Sequence, residues 1–139
     1  GHLRLFFAED WLPLHDAISF GHDIEASWLI SEAADVLGDP ALGVRAKEVA
    51  LRLAQATLTE GVGAHGEIYE ERHGNGHIVE HRVWWIQAEG LVGFLNAAAL
   101  ARDPAYLEAA HALWRFIERH QLDPNGEWRA SSTLATPPP

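Results

Sequence analysis

The sequence predicts an all-α fold built from helical hairpins, and two observations support this prediction. Apolar residues recur at helical spacing in four segments of the chain. An Asp-Pro breaker interrupts these segments at Pro40 and again, 64 residues later, at Pro104. Because repeated helical hairpins pack side by side, we expect one domain over residues 1–139, with four main helices in two units and a small β-hairpin.

The ends of the four helices follow from capping residues and breakers. Ser19 carries a hydroxyl that can cap a helix N-terminus, and an acidic residue follows in the first turn. The Asp-Pro breakers separate the two helices of each pair. We therefore expect helices over about Gly21–Leu37, Pro40–Leu58, Val83–Ala101 and Pro104–His120.

Helical periodicity also predicts which side chains are buried. In the first helix the apolar stripe consists of Ala26, Leu29, Ile30, Ala33 and Leu37. In the fourth helix it consists of Tyr106, Ala109, Ala110, Leu113, Phe116 and Ile117. We expect both stripes to face the core.

The segment between the second and third helices has a different composition. Residues 61–82 are rich in Gly and His. Two short strands are expected, at Glu67–Glu71 and His77–His81, with a turn at Gly74–Gly76 between them. This segment is the predicted β-hairpin.

Three histidines of this segment share a spacing of four residues. His73, His77 and His81 would suit a metal ion if they lay on a helix. The glycines between them make a helix unfavourable, and on a hairpin the three side chains would point in different directions. We interpret them as loop histidines and expect no metal site.

Both ends of the chain are expected to be less regular. Leu3–Phe7 could form a short strand, and Gly126–Arg129 could begin one. Gly1-His2 is interpreted as an expression remnant, because the chain begins without Met. Residues 130–139 are expected to form an irregular tail, since the terminal prolines fit neither a helix nor a central strand.

The composition narrows the possible function classes. A net charge of −10 argues against nucleic acids and anionic membranes as partners. No apolar run is long enough to span a bilayer, and the absence of cysteine rules out a disulfide framework; both favour a cytoplasmic protein. Six Trp and five Phe can fill a core or offer flat faces for stacking on sugars.

The candidate functional residues lie near the starts of the first and third helices. His22 and Glu25 are three residues apart in the first helix, and Trp84, Trp85 and Glu89 lie in the third. If the first and third helices are the inner, parallel helices of the two units, both starts lie at one end of the fold. His22 could then act as an acid or base, and the other four residues could bind substrate. Alternatively, His22 is a capping or core histidine, the tryptophans fill the core, and Glu89 makes a structural hydrogen bond.

Two segments, Phe20–Leu29 and Trp84–Glu89, resemble the signature segments of cellobiose 2-epimerases within the N-acylglucosamine 2-epimerase family. The resemblance extends to Leu5–Trp11, Tyr106–Ala110, Leu113-Trp114 and Asn125–Trp128. It thus covers nearly the whole chain. It implies a partial (α/α)6 barrel, in which this chain would supply two of the helical hairpins of the ring.

The resemblance also implies a reaction, the epimerisation of a reducing-end sugar at C2. Two histidines on opposite faces of the ring-opened sugar take part: one removes the C2 proton to give an enediolate, and the other returns a proton. His22 matches one of these histidines, Glu25 matches a substrate-binding carboxylate that steers it, and Trp85 matches a tryptophan that packs against the sugar. The implied partner is a small-molecule sugar, and no metal or nucleotide cofactor is implied.

The chain also departs from the family. By the resemblance, we expect two of the family's segments to lie outside this sequence: the one that supplies a substrate-binding arginine and the one with the second histidine. A single base cannot reach both faces of C2, so we expect little or no epimerase activity from this chain alone. A different interpretation is a non-catalytic helical module that binds a carbohydrate or a protein, or forms a homo-oligomer through exposed helix flanks.

Overall fold

The computed structural model describes residues 1–132 and residue 134, and its architecture is two helical hairpins packed side by side. In chain order the elements are β1 (Ile18–Ser19), α1 (Phe20–Leu37), α2 (Pro40–Ala56), β2 (Glu71–Arg72), β3 (Ile78–Val79), β4 (Arg82–Val83), α3 (Trp84–Ala101), α4 (Pro104–Phe116) and β5 (Ser131–Ser132). One π-helical turn follows α2 and another follows α4. We call residues 18–72 the first unit and residues 82–132 the second unit. The predicted all-α fold with four main helices and a small β-hairpin is confirmed. None of the described helices combines the length and the hydropathy needed to cross a membrane.

The two helical hairpins are closed by the same turn. Gly38 and Arg102 end α1 and α3 in the left-handed conformation, with φ of 66° and 55°. Asp39 and Asp103 then cap α2 and α4: a side-chain oxygen of Asp39 accepts from two backbone amides of the first turn, and one of Asp103 accepts from one. The repeat predicted from the two Asp-Pro sequences is therefore present in the structure.

The buried face of α1 differs from the predicted one. The predicted stripe is largely exposed: Leu29 retains 44% of its accessible surface and Leu37 retains 69%. The buried side chains are instead Phe20, Asp23, Ile24, Ser27, Ser31 and Ala34. The Ser27 and Ser31 hydroxyls donate to carbonyl oxygens of their own helix, at 2.6 and 3.3 Å, so these polar residues can face the core. A count of apolar residues alone misses such a face.

The predicted stripe of α4 is confirmed. Its residues are buried except for Ala109, which is half-buried. Four of these residues, Tyr106, Ala110, Leu113 and Ile117, pack in one core with side chains of α1, α3 and the loop of the first unit, namely Phe20, Ile24, Ile68, Ile86 and Phe94. Burial of aromatic and aliphatic side chains from both units stabilises their association.

The two inner helices, α1 and α3, run in the same direction and approach closely. A Cβ atom built on Gly21 would lie 2.7 Å from side-chain atoms of both Trp85 and Ile86. A Cβ atom on Gly93 would lie 2.6 Å from Ile24. Glycine at these two positions therefore lets the helices meet, and their N-terminal ends lie at one end of the molecule, as the sequence predicts.

Short strands connect the helices at that end. β1, β2 and β3 form an antiparallel sheet in this order, in which Ile18 pairs with Arg72 and Arg72 with Ile78. β2 and β3 form a hairpin around the predicted turn, and β3 lies within the predicted second strand. The first strand was placed wrongly, because β2 overlaps the predicted Glu67–Glu71 only at Glu71. β4 and β5 form a second antiparallel pair. Both sheets therefore pair a strand just before an inner helix with a strand after its outer helix.

The loops of the two units repeat as well. Val62 pairs with Ile68 in the first unit, and Leu122 pairs with Trp128 in the second. The offset is 60 residues here, because α2 has 17 residues and α4 has only 13. The repeat therefore extends from the helices into the loops.

The chain ends differ from expectation in two places. Leu3–Phe7 is not a strand; only Phe7 makes an isolated bridge, to Pro13. The predicted strand at Gly126–Arg129 is reduced to the bridge at Trp128, and the tail expected to be irregular from residue 130 begins with β5. Residues 133 and 135–139 of that tail lie outside the described residues.

Candidate active site

The N-terminal ends of α1 and α3 bring His22 and Trp85 together. Their ring centroids are 5.1 Å apart, with an angle of 66° between the ring planes. His22 is exposed, and Trp85 is half-buried. Gly21 makes this arrangement possible, since any larger residue would push the indole of Trp85 away from α1. His22 is therefore an exposed side chain beside an aromatic surface.

Ser19 holds the imidazole of His22. The Nδ1 atom of His22 lies 2.8 Å from Ser19 Oγ, and Ser19 is almost fully buried at the N-terminus of α1. The Nε2 atom of His22 makes no hydrogen bond with any described residue. A hydroxyl can donate or accept, so it can bond Nδ1 in either neutral tautomer while Nε2 stays free for another partner. The sequence identified Ser19 as a helix cap but did not predict this second role.

Glu89 is held by a tryptophan that the sequence analysis did not select. The Trp28 Nε1–H donates to Glu89 Oε2 at 2.8 Å, and this bond links α1 to α3. Both side chains are half-buried. An indole N–H in a partly buried position needs a hydrogen-bond acceptor. This requirement is the signal by which the sequence could have indicated an acceptor near Trp28. Glu89 therefore makes a structural hydrogen bond, as the alternative interpretation expects. Its other carboxylate oxygen, Oε1, is not used in this bond.

Glu25 lies three residues after His22 and is half-buried. Its carboxylate makes no hydrogen bond or ion pair with any described residue, and the partner of His22 is Ser19. The two side chains share a face of α1, as predicted, without a direct bond between them. The Glu25 carboxylate is thus available to a ligand.

The two adjacent tryptophans have different surroundings. The ring that contacts His22 is that of Trp85, whereas Trp84 stacks edge-to-face on Trp128, with centroids 6.2 Å apart. Trp84 retains 45% of its surface. At the equivalent position of the first unit, Phe20 is fully buried. Trp84 therefore occupies a packing position at the flank of the second unit.

Two buried polar contacts fix the start of α3. Both polar atoms of the Gln87 side-chain amide bond the backbone of Ile68: Oε1 accepts from its N–H at 2.9 Å, and Nε2 donates to its carbonyl at 2.8 Å. The Glu67 carboxylate accepts from the Arg82 guanidinium at 3.0 and 3.2 Å. Gln87 and Glu67 are buried. These contacts tie the loop of the first unit to the segment that carries Trp85.

Asp23 follows His22 in the chain but faces the interior. Its carboxylate accepts from the Leu3 amide at 2.8 Å and lies 2.7 Å from His2 Nδ1. Burial raises the pKa of Asp23, while the bonds to Leu3 and His2 lower it in part. His2, interpreted from the sequence as part of an expression remnant, thus contacts a buried residue of α1.

The histidines of the β-hairpin do not converge. The rings of His73 and His77 are 5.8 Å apart, and His81 lies 3.3 Å from Glu70. Among residues 1–132 and residue 134, no three His, Cys, Asp or Glu side chains are grouped so that they could hold a metal ion.

Comparisons with known proteins identify the family of this chain. The family model of N-acylglucosamine 2-epimerase (GlcNAc 2-epimerase) matches residues 1–135. A cellobiose 2-epimerase of Bacteroides fragilis is 43% identical over 129 residues, which are 91% of this chain and 33% of that protein. A cellobiose 2-epimerase of Dictyoglomus turgidum is 41% identical, with the same two coverages.

Solved structures extend the comparison to the fold. A sugar epimerase from a ruminal bacterium superposes with a TM-score of 0.91 at 36% identity and covers 96% of this chain and 34% of its own. The cellobiose 2-epimerase of Bacillus thermoamylovorans gives 0.88 at 35% identity, with the same coverages. The two hairpins are thus a part of an (α/α)6 barrel, and the chain spans about a third of the length of the curated relatives it matches. The chain belongs to the N-acylglucosamine 2-epimerase family.

Proposed function

We propose that this chain is the part of a sugar 2-epimerase that holds one of two proton-transfer histidines, His22. The observation that carries the proposal is the environment of the imidazole. Its Nδ1 atom is bonded to a buried hydroxyl, its Nε2 atom is free of hydrogen bonds with described residues, and its ring lies against Trp85. A proton carrier needs one ring nitrogen fixed and the other open to substrate.

The chemistry follows from the resemblance and the geometry. Ring opening exposes an aldehyde at C1 of the reducing-end sugar, which makes the C2 proton removable. His22 Nε2 would take this proton and leave an enediolate. Return of a proton by His22 restores the original configuration, since the base stays on the same face. Inversion needs a second carrier on the other face, so we propose that the isolated chain does not epimerise.

Three neighbouring side chains would bind the sugar. Trp85 offers an aromatic face beside His22, suited to the C–H face of a pyranose or an opened sugar. Glu25 and the second oxygen of Glu89 can accept hydrogen bonds from sugar hydroxyls. Trp84, which the sequence groups with these residues, packs on Trp128 and stands outside this proposed set.

Proton exchange tests the proposal without the need for a complete enzyme. Incubation of the concentrated chain with cellobiose in deuterated water should incorporate deuterium at C2 of the reducing-end glucose, as measured by NMR. The His22→Asn variant should lose this incorporation, while circular dichroism shows that its fold is kept. No incorporation by the wild-type chain above the buffer rate would contradict the proposal and favour a non-catalytic module.

A self-associating module is the second candidate, and the repeat supports it. Phe94 and Ala97 of α3 are buried, yet the equivalent residues of α1, Ile30 and Ala33, are partly or fully exposed. They line an apolar crevice of about 310 Å³ between α1 and α2. A further hairpin of the same shape, such as the second unit of another copy, would fit there. For either candidate, we propose a cytoplasmic location.

Light scattering tests the second candidate. We expect the wild-type chain to form dimers or larger assemblies as its concentration rises, and Ala33→Glu to weaken them, since a charge would be buried in the contact. An exposed control, Glu32→Gln, should change little. A wild-type monomer at all concentrations would contradict self-association.

A further inference from the structure

A second crevice lies between the loop of the first unit and the end of α4. Its volume is about 290 Å³, and it shares no lining residue with the His22 site. Gly66, on its rim, has a φ of 87°, and a Cβ atom there would lie 2.8 Å from Ala112. The loop backbone therefore rests directly on α4. The crevice therefore lies where the two units pack against each other.

Its lining is basic. His65 from the loop and Arg115, Arg119 and His120 from the second unit all contribute. Arg115 and Arg119 are four residues apart and thus neighbours on one helix face. Neither side chain forms an ion pair or a hydrogen bond with any described residue. In a chain with 20 acidic and 10 basic residues, a concave surface with this much uncompensated positive charge is unexpected.

The surroundings of His120 report the same local field. Burial lowers the pKa of His120, and the positive charges of His65 and Arg119, with a weaker contribution from Arg82, lower it further. Glu67 is the acidic residue that opposes this effect, and its carboxylate is already bonded to Arg82. Protonation of His120 is therefore disfavoured. An anion bound in the crevice would offset this cost, because it would stabilise the protonated imidazole.

We propose that this crevice binds a small tetrahedral dianion, phosphate or sulfate, either free or as a monoester group. Two guanidinium groups can donate paired N–H bonds to the oxygens of such an ion. Large polyanions do not fit, because the net charge of −10 repels a nucleic acid or an anionic membrane. A small ion inside the crevice is screened from distant acids, since the Debye length at physiological salt is about 8 Å. The proposal is independent of the proposed epimerase role.

Backbone amide shifts of the ¹⁵N-labelled chain test it. Inorganic phosphate, titrated at constant ionic strength against chloride, should shift the amides of residues 64–66 and 115–120 saturably, with a Kd on the order of 1 mM. The double variant Arg115→Gln, Arg119→Gln should weaken binding about tenfold or more, because the charge-assisted bonds are lost. A separate titration with glycerol phosphate distinguishes a free ion from a monoester as the ligand. A Kd equal to that of inorganic phosphate indicates that the crevice recognises the free ion, and a lower Kd indicates that it prefers a monoester.

A matched variant and a pH series complete the test. Arg45→Gln with Lys47→Gln removes the same charge from α2 and should leave the Kd unchanged within about twofold. Sulfate stays dianionic from about pH 8 to pH 5.5, and a bound anion favours protonated His120, so its binding should tighten about threefold or more over that range. Shifts that do not saturate, shifts spread over other basic side chains, or a Kd unaffected in the Arg115/Arg119 double variant would overturn the proposal.

Discussion

The two units share one backbone plan but differ in what covers them. Phe20 and Ile68 of the first unit are fully buried, whereas the equivalent residues of the second unit, Trp84 and Trp128, retain 45% and 40% of their surface. The first unit is covered by α3, whose Gln87 also bonds the backbone of Ile68. The second unit therefore buries side chains of the first unit, whereas the described residues include no third unit that would bury the equivalent side chains of the second.

An exposed histidine is present at only one of the two equivalent helix starts. His22 is exposed and bonded to the capping Ser19, but the equivalent residue of α3 is Ile86, which is fully buried. The N-cap residue of α3 is Val83, which provides no side-chain cap. The second unit contributes Trp85 and the scaffold beneath it. A symmetric fold therefore carries an asymmetric site, formed where one unit meets the next.

The largest effect is expected from the contact between the units. Gly21→Ala would place a methyl group against Trp85 and Ile86 and should lower the free energy of unfolding by about 2 kcal/mol or more. Urea denaturation measures the change. Gly43→Ala is the matched control: nothing lies near its Cβ position on α2, so it should stabilise the chain by about 0.5–1 kcal/mol. Equal effects of the two substitutions would rule out the close approach of α1 and α3.

The next effect concerns the bond between the first loop and α3. Gln87→Leu keeps the size of the side chain but leaves the Ile68 amide and carbonyl without partners, at an expected cost of about 2 kcal/mol. Gln55→Leu, on the exposed side of α2, serves as the control, because water can replace its bond to Tyr106. Hydrogen exchange at the Ile68 amide should accelerate in the first variant alone. An unchanged exchange rate would show that Gln87 is dispensable.

A smaller effect separates capping from the support of His22. Ser19→Ala and Asp39→Ala each remove a helix cap and should each cost about 1 kcal/mol. Only the first removes the partner of the His22 imidazole. Long-range ¹H–¹⁵N spectra should therefore show a changed tautomer balance of His22 in Ser19→Ala and an unchanged one in Asp39→Ala. The same His22 signals in all three proteins would refute the positioning role of Ser19.

The smallest effect is a pH dependence at Asp23. Burial raises its pKa above the ordinary value of 3.8, so the native state holds this proton more tightly than the unfolded chain. The stability contributed by that proton is fully present below the unfolded pKa and is lost as the pH rises through the raised folded pKa. In Asp23→Asn this loss is removed, and stability should decline less than in the wild type as the pH rises from 4 to 7. A parallel decline, measured by thermal unfolding, would contradict this assignment.

The sequence predicted the elements that depend on local signals. The Asp-Pro sequences at residues 39–40 and 103–104 set the helix ends, and the periodicity of α4 gave its buried face. It failed on α1, where Ser27 and Ser31 face the core with hydroxyls bonded to their own helix. It also missed β5, since a two-residue strand depends on a partner about 50 residues away. Such pairings carry no local signature.

For the candidate site, the repeat was the informative signal. It placed the starts of α1 and α3 at one end of the fold, and the structure brings His22 and Trp85 into contact there. The partners Ser19 and Trp28 could not be derived from spacing, because each bond depends on side-chain direction in three dimensions. The roles of His22, Glu25, Trp85 and Glu89 toward a sugar stay predictions.

The configuration of the deuterated sugar tests the central claim most directly. After incubation of the wild-type chain with cellobiose in deuterated water, NMR of the recovered disaccharide reads both the label at C2 and the configuration there. A single proton carrier predicts deuterium at C2 with the glucose configuration kept and no mannose-containing product. A mannose-containing product would contradict the claim that this chain holds one face of the site, and label that persists in His22→Asn would contradict the assignment of that face to His22.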